Sequence, residues 1–453
     1  MYVEAPPSFS MSALSEEAWT KFLQQETTLM GWLQRIGKDY PYWTEVKRRA
    51  KPAGIAERDA WMLIKVMRQS NSRKLRLSDI ASFTFSFQIT EPTLEKLHRF
   101  DLYLGGILRS DSVIPAEDKN RYLVSSIMEE AIASSQLEGA STTREVAKEM
   151  LRKQRPPRTK SEQMILNNYR TIQFVLAQKQ EPMTPELLCQ IQAQMTQGTV
   201  RDENHTGHIR IGDSVEVWNE AAGEVVYVPP PATQLSELLQ VFCTFANEEL
   251  ASNSNQAGVF IHPIVRACIL HFLIGYIHPF IDGNGRTARA VFYWYLLRQG
   301  YWLVEYMSIS RIIHESSTQY AKAYLHTEND ANDLTYFINY QVKTLDQAFD
   351  SLQQYIGRKM AEKKQLYDFK RLGILNERQL VIVQELAKNP ETPWTFREVE
   401  NRFNVAYQTA RTDLMGLEGL KLLEKRHVGK QKLLYFRTDE FDQQLNQLRS
   451  LPV

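Results

Sequence analysis

The chain has 453 residues, of which 43% are hydrophobic, with 54 Lys and Arg against 53 Asp and Glu. That length and composition build a globular protein of two or three domains with a sizeable core. The balanced charge excludes a global field for nucleic acid or an acidic membrane, so any such surface must be local.

In chain order, the opening MYVEAPPSFSMSALSEEAW carries an early acid and two prolines where a secretory signal needs basic and then apolar residues, which predicts a cytoplasmic protein. Residues 1–100 form a helical N-terminal region whose short amphipathic helices, from residue 15 onward, are anchored by Trp19, Trp32, Trp43 and Trp61 and broken at Pro41, Pro52 and Pro92. A central region, 101–350, follows. From Glu117 to Leu151 a long helix leads to a break: Tyr122, Ile127, Ala131, Ser134 and Glu138 keep helical spacing until Gly139, which reads as a C-cap. Lys160 to Gln180 and Thr184 to Met195 are helical again, with Thr184 as N-cap and Pro185 in the first position. Val215 to Trp218 and Val225 to Val228 are β-favouring runs around Asn219 to Gly223, a hairpin ended by Pro229, Pro230 and Pro231. Helix resumes from Thr233 to Glu249, from His262 to the break at Pro279, and from Asn284 to Gln299 with Gly300 at C′.

The most apolar stretch, Val259 to Ile281, is interrupted by Arg266 and three histidines, so no membrane segment is expected. Cys189, Cys243 and Cys268 lie among apolar neighbours without short spacing, which argues against a disulfide framework or a zinc site. Residues 351–374, with Lys359, Lys363, Lys364, Lys370 and Arg371, read as a linker helix. Residues 375–453 then form a domain of their own: helices from Glu377 to Ala387, from an N-cap at Thr395 to Phe403 and from Tyr407 to about Gly416, then two strands around Gly429. This pattern predicts a winged helix-turn-helix. Between Ala406 and Arg437 it holds seven Lys or Arg against three acids, and Gln408, Thr409, Arg411 and Thr412 can face a major groove; DNA binding and protein docking or dimerisation stand as equal readings of it.

The chemistry is concentrated in His278-Pro-Phe-Ile-Asp-Gly-Asn-Gly-Arg-Thr-Ala-Arg289. A loop feeding a helix N-terminus through Gly283, Asn284 and Gly285 lets backbone N–H groups converge, and the helix dipole adds to their attraction for phosphate. Arg286 and Arg289, three residues apart, share a helix side and imply more than one phosphate. Asp282 can hold Mg²⁺ between its carboxylate and phosphate oxygens, and it can also cap the helix that follows. His278 can take a proton from an incoming hydroxyl. Neither a Walker pattern nor a Rossmann glycine pattern is present, so neither standard nucleotide fold explains these parts. His271 lies on an apolar helix face and reads as a core residue.

These twelve residues resemble the Fic signature, His-Pro-Phe-x-Asp/Glu-Gly-Asn-Gly/Lys-Arg-x-x-Arg, at every defining position. The resemblance extends over roughly Asp101 to Leu345. It implies an all-α, Fic-type helical core with a small β-hairpin flap, joined here to the C-terminal winged helix-turn-helix. It implies Mg²⁺-dependent transfer of AMP from the co-substrate ATP to a Ser, Thr or Tyr hydroxyl of a protein, releasing diphosphate. His278 would be the base and Asp282 the Mg²⁺ ligand; Gly283, Asn284 and Gly285 would cradle the α- and β-phosphates, Arg286 would meet the β-phosphate and Arg289 the γ-phosphate. Phe280 would anchor the loop.

Ser134-Ser-Gln-Leu-Glu138-Gly139 resembles the inhibitory motif Ser/Thr-x-x-x-Glu-Gly/Asn, on an expected inhibitory helix at 121–139. Its spacing predicts that Glu138 presents its carboxylate to Arg289 while Ser134 supports Glu138 by a hydrogen bond. An Arg289 so paired cannot bind the γ-phosphate. In related enzymes the same glutamate also supports removal of AMP, so removal is an activity implied here too. Residues 207–228 resemble the flap that registers a target segment by β-augmentation, with Val215, Val217 and Tyr227 as docking residues. Tyr320 and Tyr324 can stack on adenine, although aromatic residues at this spacing more often pack. The expected partner is a protein bearing a hydroxyl side chain; self-modification, a homodimer and DNA at the C-terminal domain are compatible with the sequence. Two competing readings remain: a DNA-binding regulator whose core senses nucleotide, and transfer of another phosphate-containing group.

Overall fold

The computed structural model describes residues 3–49, 51–52, 54–80, 83–104, 119–219, 223–248, 260–371, 374–428 and 432–449. The chain divides into two compact units, Met1–Leu352 and Gln353–Val453. Both are mostly helical, and among the described residues the sheets are three separate two-stranded ribbons.

The first unit begins with α1 (Glu16–Leu23), α2 (Thr27–Asp39), α3 (Trp43–Arg48) and α4 (Glu57–Asn71). The side chain of Ser15 caps α1 by accepting from Ala18 N–H. Trp32, Trp43 and Trp61 share one apolar cluster with Leu29, Leu33, Ile36 and, from far along the chain, Tyr336. The same surface is pinned by buried charges. Lys65 Nζ meets Asp330 at 2.8 Å, Arg68 donates to Tyr336 Oη at 2.7 Å and to Pro41 O at 2.8 Å, and Tyr40 donates to Asp333 at 2.6 Å. The N-terminal helices therefore brace the turn at residues 330–336.

A ribbon not expected from the sequence follows, β1 (Arg73–Arg76) against antiparallel β2 (Thr84–Phe87), with Arg73 opposite Phe87. Phe83, Phe85 and Phe87 are buried from it. Pro92, expected as a break, lies in the first turn of α5 (Glu91–Tyr103), where its missing N–H costs nothing. Next come α6 (Lys119–Gln136), α7 (Arg144–Arg152), α8 (Lys160–Ala177) and α9 (Pro185–Thr196). Thr143, Thr159 and Thr184 cap the last three with their hydroxyls. The expected helix at 121–139 thus ends at Gln136, and Glu138 lies in the turn beyond it. Gly139, at φ +88°, supplies the left-handed conformation of that turn.

The flap forms β3 (Val217–Asn219) and antiparallel β4 (Glu224–Tyr227), with a register shift between Val217 and Trp218. Val215 and Val228 fall outside the strands, and turn residues 220–222 lie outside the described residues. After α10 (Leu235–Asn247) come the central pair, α11 (Pro263–Ile277) and α12 (Asn284–Arg298). Nearly every residue of both is buried, because α12 packs among α6, α8, α9 and α11. Gly300, at φ +86°, stands one residue past the Gln299 C-cap. Then follow α13 (Ile309–Glu315), α14 (Ser317–Asn329) and α15 (Thr335–Arg371). The expected linker helix at 351–374 is the second half of α15 rather than a separate element.

The second unit contains α16 (Glu377–Lys388), α17 (Phe396–Phe403) and α18 (Tyr407–Gly419), then β5 (Leu423–Val428) antiparallel to β6 (Lys432–Arg437), and α19 (Phe441–Arg449). Asn376 and Gln379 close a capping box on α16, and Asn404 makes the left-handed turn between α17 and α18. The sequence reading omitted α19, whose Phe441 and Leu445 complete the core around Trp394 and Leu417. Asp413, 1% exposed, is the buried charge among the described residues of this unit. Arg378 Nε donates to it at 2.6 Å and Asn376 Nδ2 at 2.7 Å. Arg378→Ala should leave Asp413 with Asn376 alone, lowering the stability of this unit by about 2 kcal/mol, less than a fully buried pair because Arg378 is partly exposed. Faster amide exchange in 377–419 than in the wild type, with 263–298 unchanged, is the expected readout.

Candidate active site

The end of α11 makes the site. His278 occupies its C-cap in the left-handed region, at φ 49° and ψ 58°, a conformation unusual for a residue with a side chain. Two contacts hold it there. Arg210, buried at the base of the flap segment, donates from its backbone N–H to Pro279 O and from Nε to His278 O, each at 2.9 Å. The rest of its guanidinium binds Gly212 O at 2.9 Å and Pro230 O. On the imidazole, Nδ1 lies 3.2 Å from Gly275 O. A carbonyl only accepts, so Nδ1 carries the hydrogen and Nε2 keeps its lone pair. Burial pushes the His278 pKa down, against the Gly275 hydrogen bond, and Arg210 pushes it further, so the ring is neutral at pH 7.

The loop closes on itself through Asn284, whose side chain accepts from Phe280 N–H at 3.0 Å and donates to Phe280 O at 2.8 Å. The Asn284 side chain is therefore occupied in shaping the loop, and what it offers an anion is its backbone N–H at the start of α12. Phe280 is fully buried. Gly283, at φ +86°, has no room for a side chain, since a Cβ would lie 2.8 Å from Thr196 Cγ2.

Arg286 and Arg289 leave α12 on the side facing α6 and α9, 1% and 3% exposed. Arg286 donates to Met195 O at 2.9 Å and to Asp282 Oδ1 at 3.1 Å, and its Nε is buried without a partner. Asp282 keeps a half-exposed side chain at the mouth of the helix. Among the described residues no three His, Cys, Asp or Glu side chains converge, so an ion beside Asp282 would draw the rest of its shell from phosphate oxygens and water. That arrangement suits Mg²⁺.

Arg289 is bound from α6 and its turn. Nε donates to Ser134 Oγ, and Nη2 to Ser134 O and Glu138 Oε1, each at 2.9 Å. The pairing of Glu138 with Arg289 is present, but Ser134 does not support Glu138. Its hydroxyl and carbonyl bind Arg289 directly, because Glu138 has left the helix. The Glu138 carboxylate also lies over Gly285, where a Cβ would collide with its oxygen. It therefore sits on the positive end of α12, where an anion would be held. Burial opposes its ionisation, but Arg289 and Arg286 together hold its carboxyl below the ordinary range.

Of the flap residues, Val217 lies in β3 opposite Tyr227, while Val215 is outside the ladder. Tyr227 turns inward: its hydroxyl donates to Tyr276 O at 2.8 Å, which roots β4 on α11. Ile211 and Trp218 are exposed above it. His271 is a core residue as expected, with Nε2 at 2.8 Å from Tyr320 Oη. Tyr320 and Tyr324 are pinned to α11. Three residues escaped the sequence reading: Arg210, Thr196 and Gln192, which donates to Asp282 O at 2.9 Å and accepts from Gly207 N–H at 2.6 Å.

Residues 182–296 match the model of the Fic/DOC family. A segment of 75 residues is 40% identical to the protein adenylyltransferase Fic of Drosophila willistoni and 43% identical to that of Drosophila grimshawi. It makes up 17% of this chain and spans 14% of the length of those relatives. Among solved structures, a Fic family protein from Desulfovibrio desulfuricans G20 aligns at TM-score 0.49 and 18% identity, over 76% of this chain and 94% of that one. Fic-1 from C. elegans aligns at TM-score 0.48 and 17% identity, over 76% and 87%.

The Glu138 carboxyl, with its pKa lowered in the fold, contributes stability in full above the ordinary value of 4.5 and loses it as pH falls through the lower folded value. Urea unfolding of the wild type and of Glu138→Gln should differ by about 1–2 kcal/mol near neutrality. The difference should close on acidification below that value; a gap that persists in acid would assign the stabilisation to something other than the charge.

Proposed function

With residues 182–296 as a Fic/DOC segment, we propose that the chain transfers AMP from ATP to a hydroxyl side chain of a protein and that Glu138 restrains this activity. The observation that carries the reading is the convergence of His278, Asp282 and the N-terminus of α12 with its two buried arginines. The backbone N–H groups at Gly283 to Gly285 and the guanidiniums of Arg286 and Arg289 bind the phosphates, and Asp282 would hold a Mg²⁺ ion at this site. When bound, that ion would supply charge neutralisation for the phosphates. His278 Nε2 accepts the proton of the target hydroxyl as its oxygen bonds to the α-phosphorus. The bond from that phosphorus to the bridging oxygen breaks, and diphosphate leaves with the electron pair.

Glu138 opposes this in two ways supported by its contacts. It engages Arg289, and its carboxylate lies over Gly285, where a phosphate would meet the helix N-terminus. The exposed ribbon β3–β4 offers backbone groups to an extended target segment, with Val217 in the ladder, and Tyr227 fixes the ribbon's distance from His278 through Tyr276.

Intact mass after incubation with ATP and Mg²⁺ tests the reading. Glu138→Gly should gain adenylyl groups, on itself or on added lysate proteins, at least about tenfold faster than the wild type. His278→Ala in that background should lower the rate by about 10²–10⁴. A gain of phosphoryl mass instead would redirect the transfer to another phosphorus. Because the His278 pKa lies below 6.5, the rate should hold through neutrality and fall only on the acid side of that value. Val217→Pro removes a backbone donor from the ribbon and should depress modification of a separate protein while leaving ATP binding unchanged; undiminished modification would remove the flap from target docking.

A further inference from the structure

Glu130 of α6 is a buried acid that the proposed transfer chemistry does not use, and it stands one helical turn before Ser134. Both of its carboxyl oxygens are taken up by the short segment that leads into α13. Oε2 accepts from Ser310 N–H at 2.9 Å and from Ser308 Oγ at 3.2 Å, and Oε1 accepts from Ser310 Oγ. The same segment is gripped from α12. Tyr293, one turn beyond Arg289, donates its hydroxyl to Met307 O at 3.0 Å and accepts from Ile309 N–H at 2.9 Å. Glu130, Tyr293, Met307, Ile309 and Ser310 are all buried. Residues 307–310 are thus clamped between two helices, and the same two helices meet again one turn away, where Arg289 binds Ser134.

We propose that Glu130 is a positioning residue: through the clamped segment 307–310 it fixes the register of α6 on α12 and so holds Ser134 and Glu138 on Arg289. The proposal rests on the restraint by Glu138 read above and names the group that sets its strength. Burying an acid is unfavourable unless its oxygens are used, and apolar packing alone would fill the same space without fixing how far α6 sits along α12. Hydrogen bonds are short and directional, so three of them on one carboxyl, with two more on Tyr293, allow a single register. Glu138 benefits most from this, because it follows the last turn of α6 and reaches Arg289 only if that turn is in place. Removing the Glu130 carboxyl leaves the donors of Ser308 and Ser310 without it and α6 free to shift along α12. Arg289 is then released from Glu138 more often, and the N-terminus of α12 is opened to a phosphate.

Adenylyl gain by the full-length chain, followed by intact mass with ATP and Mg²⁺ in two backgrounds, tests this. In the otherwise wild-type chain Glu130→Ala should raise the rate by about three- to tenfold, the shift that losing one buried hydrogen bond gives. In the Glu138→Gly background the same substitution should bring no rise, since the restraint is already gone. Glu130→Gln keeps an acceptor for Ser310 N–H and Ser308, and its amide can donate to the Ser310 hydroxyl, so it should retain the wild-type restraint. A merely structural role would instead lower the rate in both backgrounds, and that result, or an unchanged wild-type rate, would overturn the proposal. If Glu130→Ala does not fold, Ser310→Ala, which removes one donor, takes its place with a smaller rise expected. Amide exchange supplies a readout that needs no nucleotide. The N–H groups of Leu137 to Ala140, bonded to the carbonyls of Ala133, Ser135 and Gln136, should exchange faster in Glu130→Ala, with 263–277 unchanged. Should Glu138→Gly gain no adenylyl group, the transfer reading falls and this exchange alone decides the role of Glu130: faster exchange supports it, and unchanged exchange refutes it.

Discussion

Arg289 is a buried guanidinium paired with a carboxylate, and the site turns on it. At 3% exposure it makes two hydrogen bonds to Ser134 and a charge-assisted one to Glu138. Ser134 is a permanent partner, fixed on the last turn of α6. Glu138 instead stands in a turn past the helix end. A phosphate oxygen and a carboxylate oxygen satisfy a guanidinium with the same geometry. Under the proposed function the site would therefore have two electrostatically complete arrangements, one closed by its own carboxylate, as in this structure, and one closed by a phosphate.

The second constraint is the left-handed turn at His278. Strain of this kind persists only where neighbours over-determine it, and here the neighbours are Arg210, which binds the carbonyls of both His278 and Pro279, and Asn284, which closes the loop on Phe280. In this turn Nδ1 stays tied to Gly275 O, which leaves the free lone pair on Nε2. These contacts tie the segment at Arg210, the loop from His278 to Gly283 and the start of α12 together.

The segment 278–289 was legible because its chemistry lies in consecutive residues, so a spacing argument alone places base, carboxylate, glycines and arginines together. The partnership of Glu138 with Arg289 was legible for the same local reason at each end, but the part played by Ser134 was not, since it depends on α6 stopping at Gln136 rather than at Gly139. Arg210 and Gln192 left no signal: their contacts with the loop are made across 68 and 90 residues. Other omissions had a signal that was outweighed. Phe83, Phe85 and Phe87 alternate as a strand should, but the three basic residues of β1 resemble a solvated helix face. Phe441, Leu445 and Leu448 keep helical spacing in α19, while the lysines after residue 358 disguised the continuity of α15.

Gln192 carries a consequence of its own. One end of its amide holds the backbone of Asp282, and the other holds the backbone of Gly207, where the flap segment begins. An amide group is planar and stiff, so the gap between these two backbones is set by the width of a single side-chain group. The loop that would hold the nucleotide and the strand that would hold its acceptor are therefore gauged against each other from α9, a helix that contributes no reacting atom.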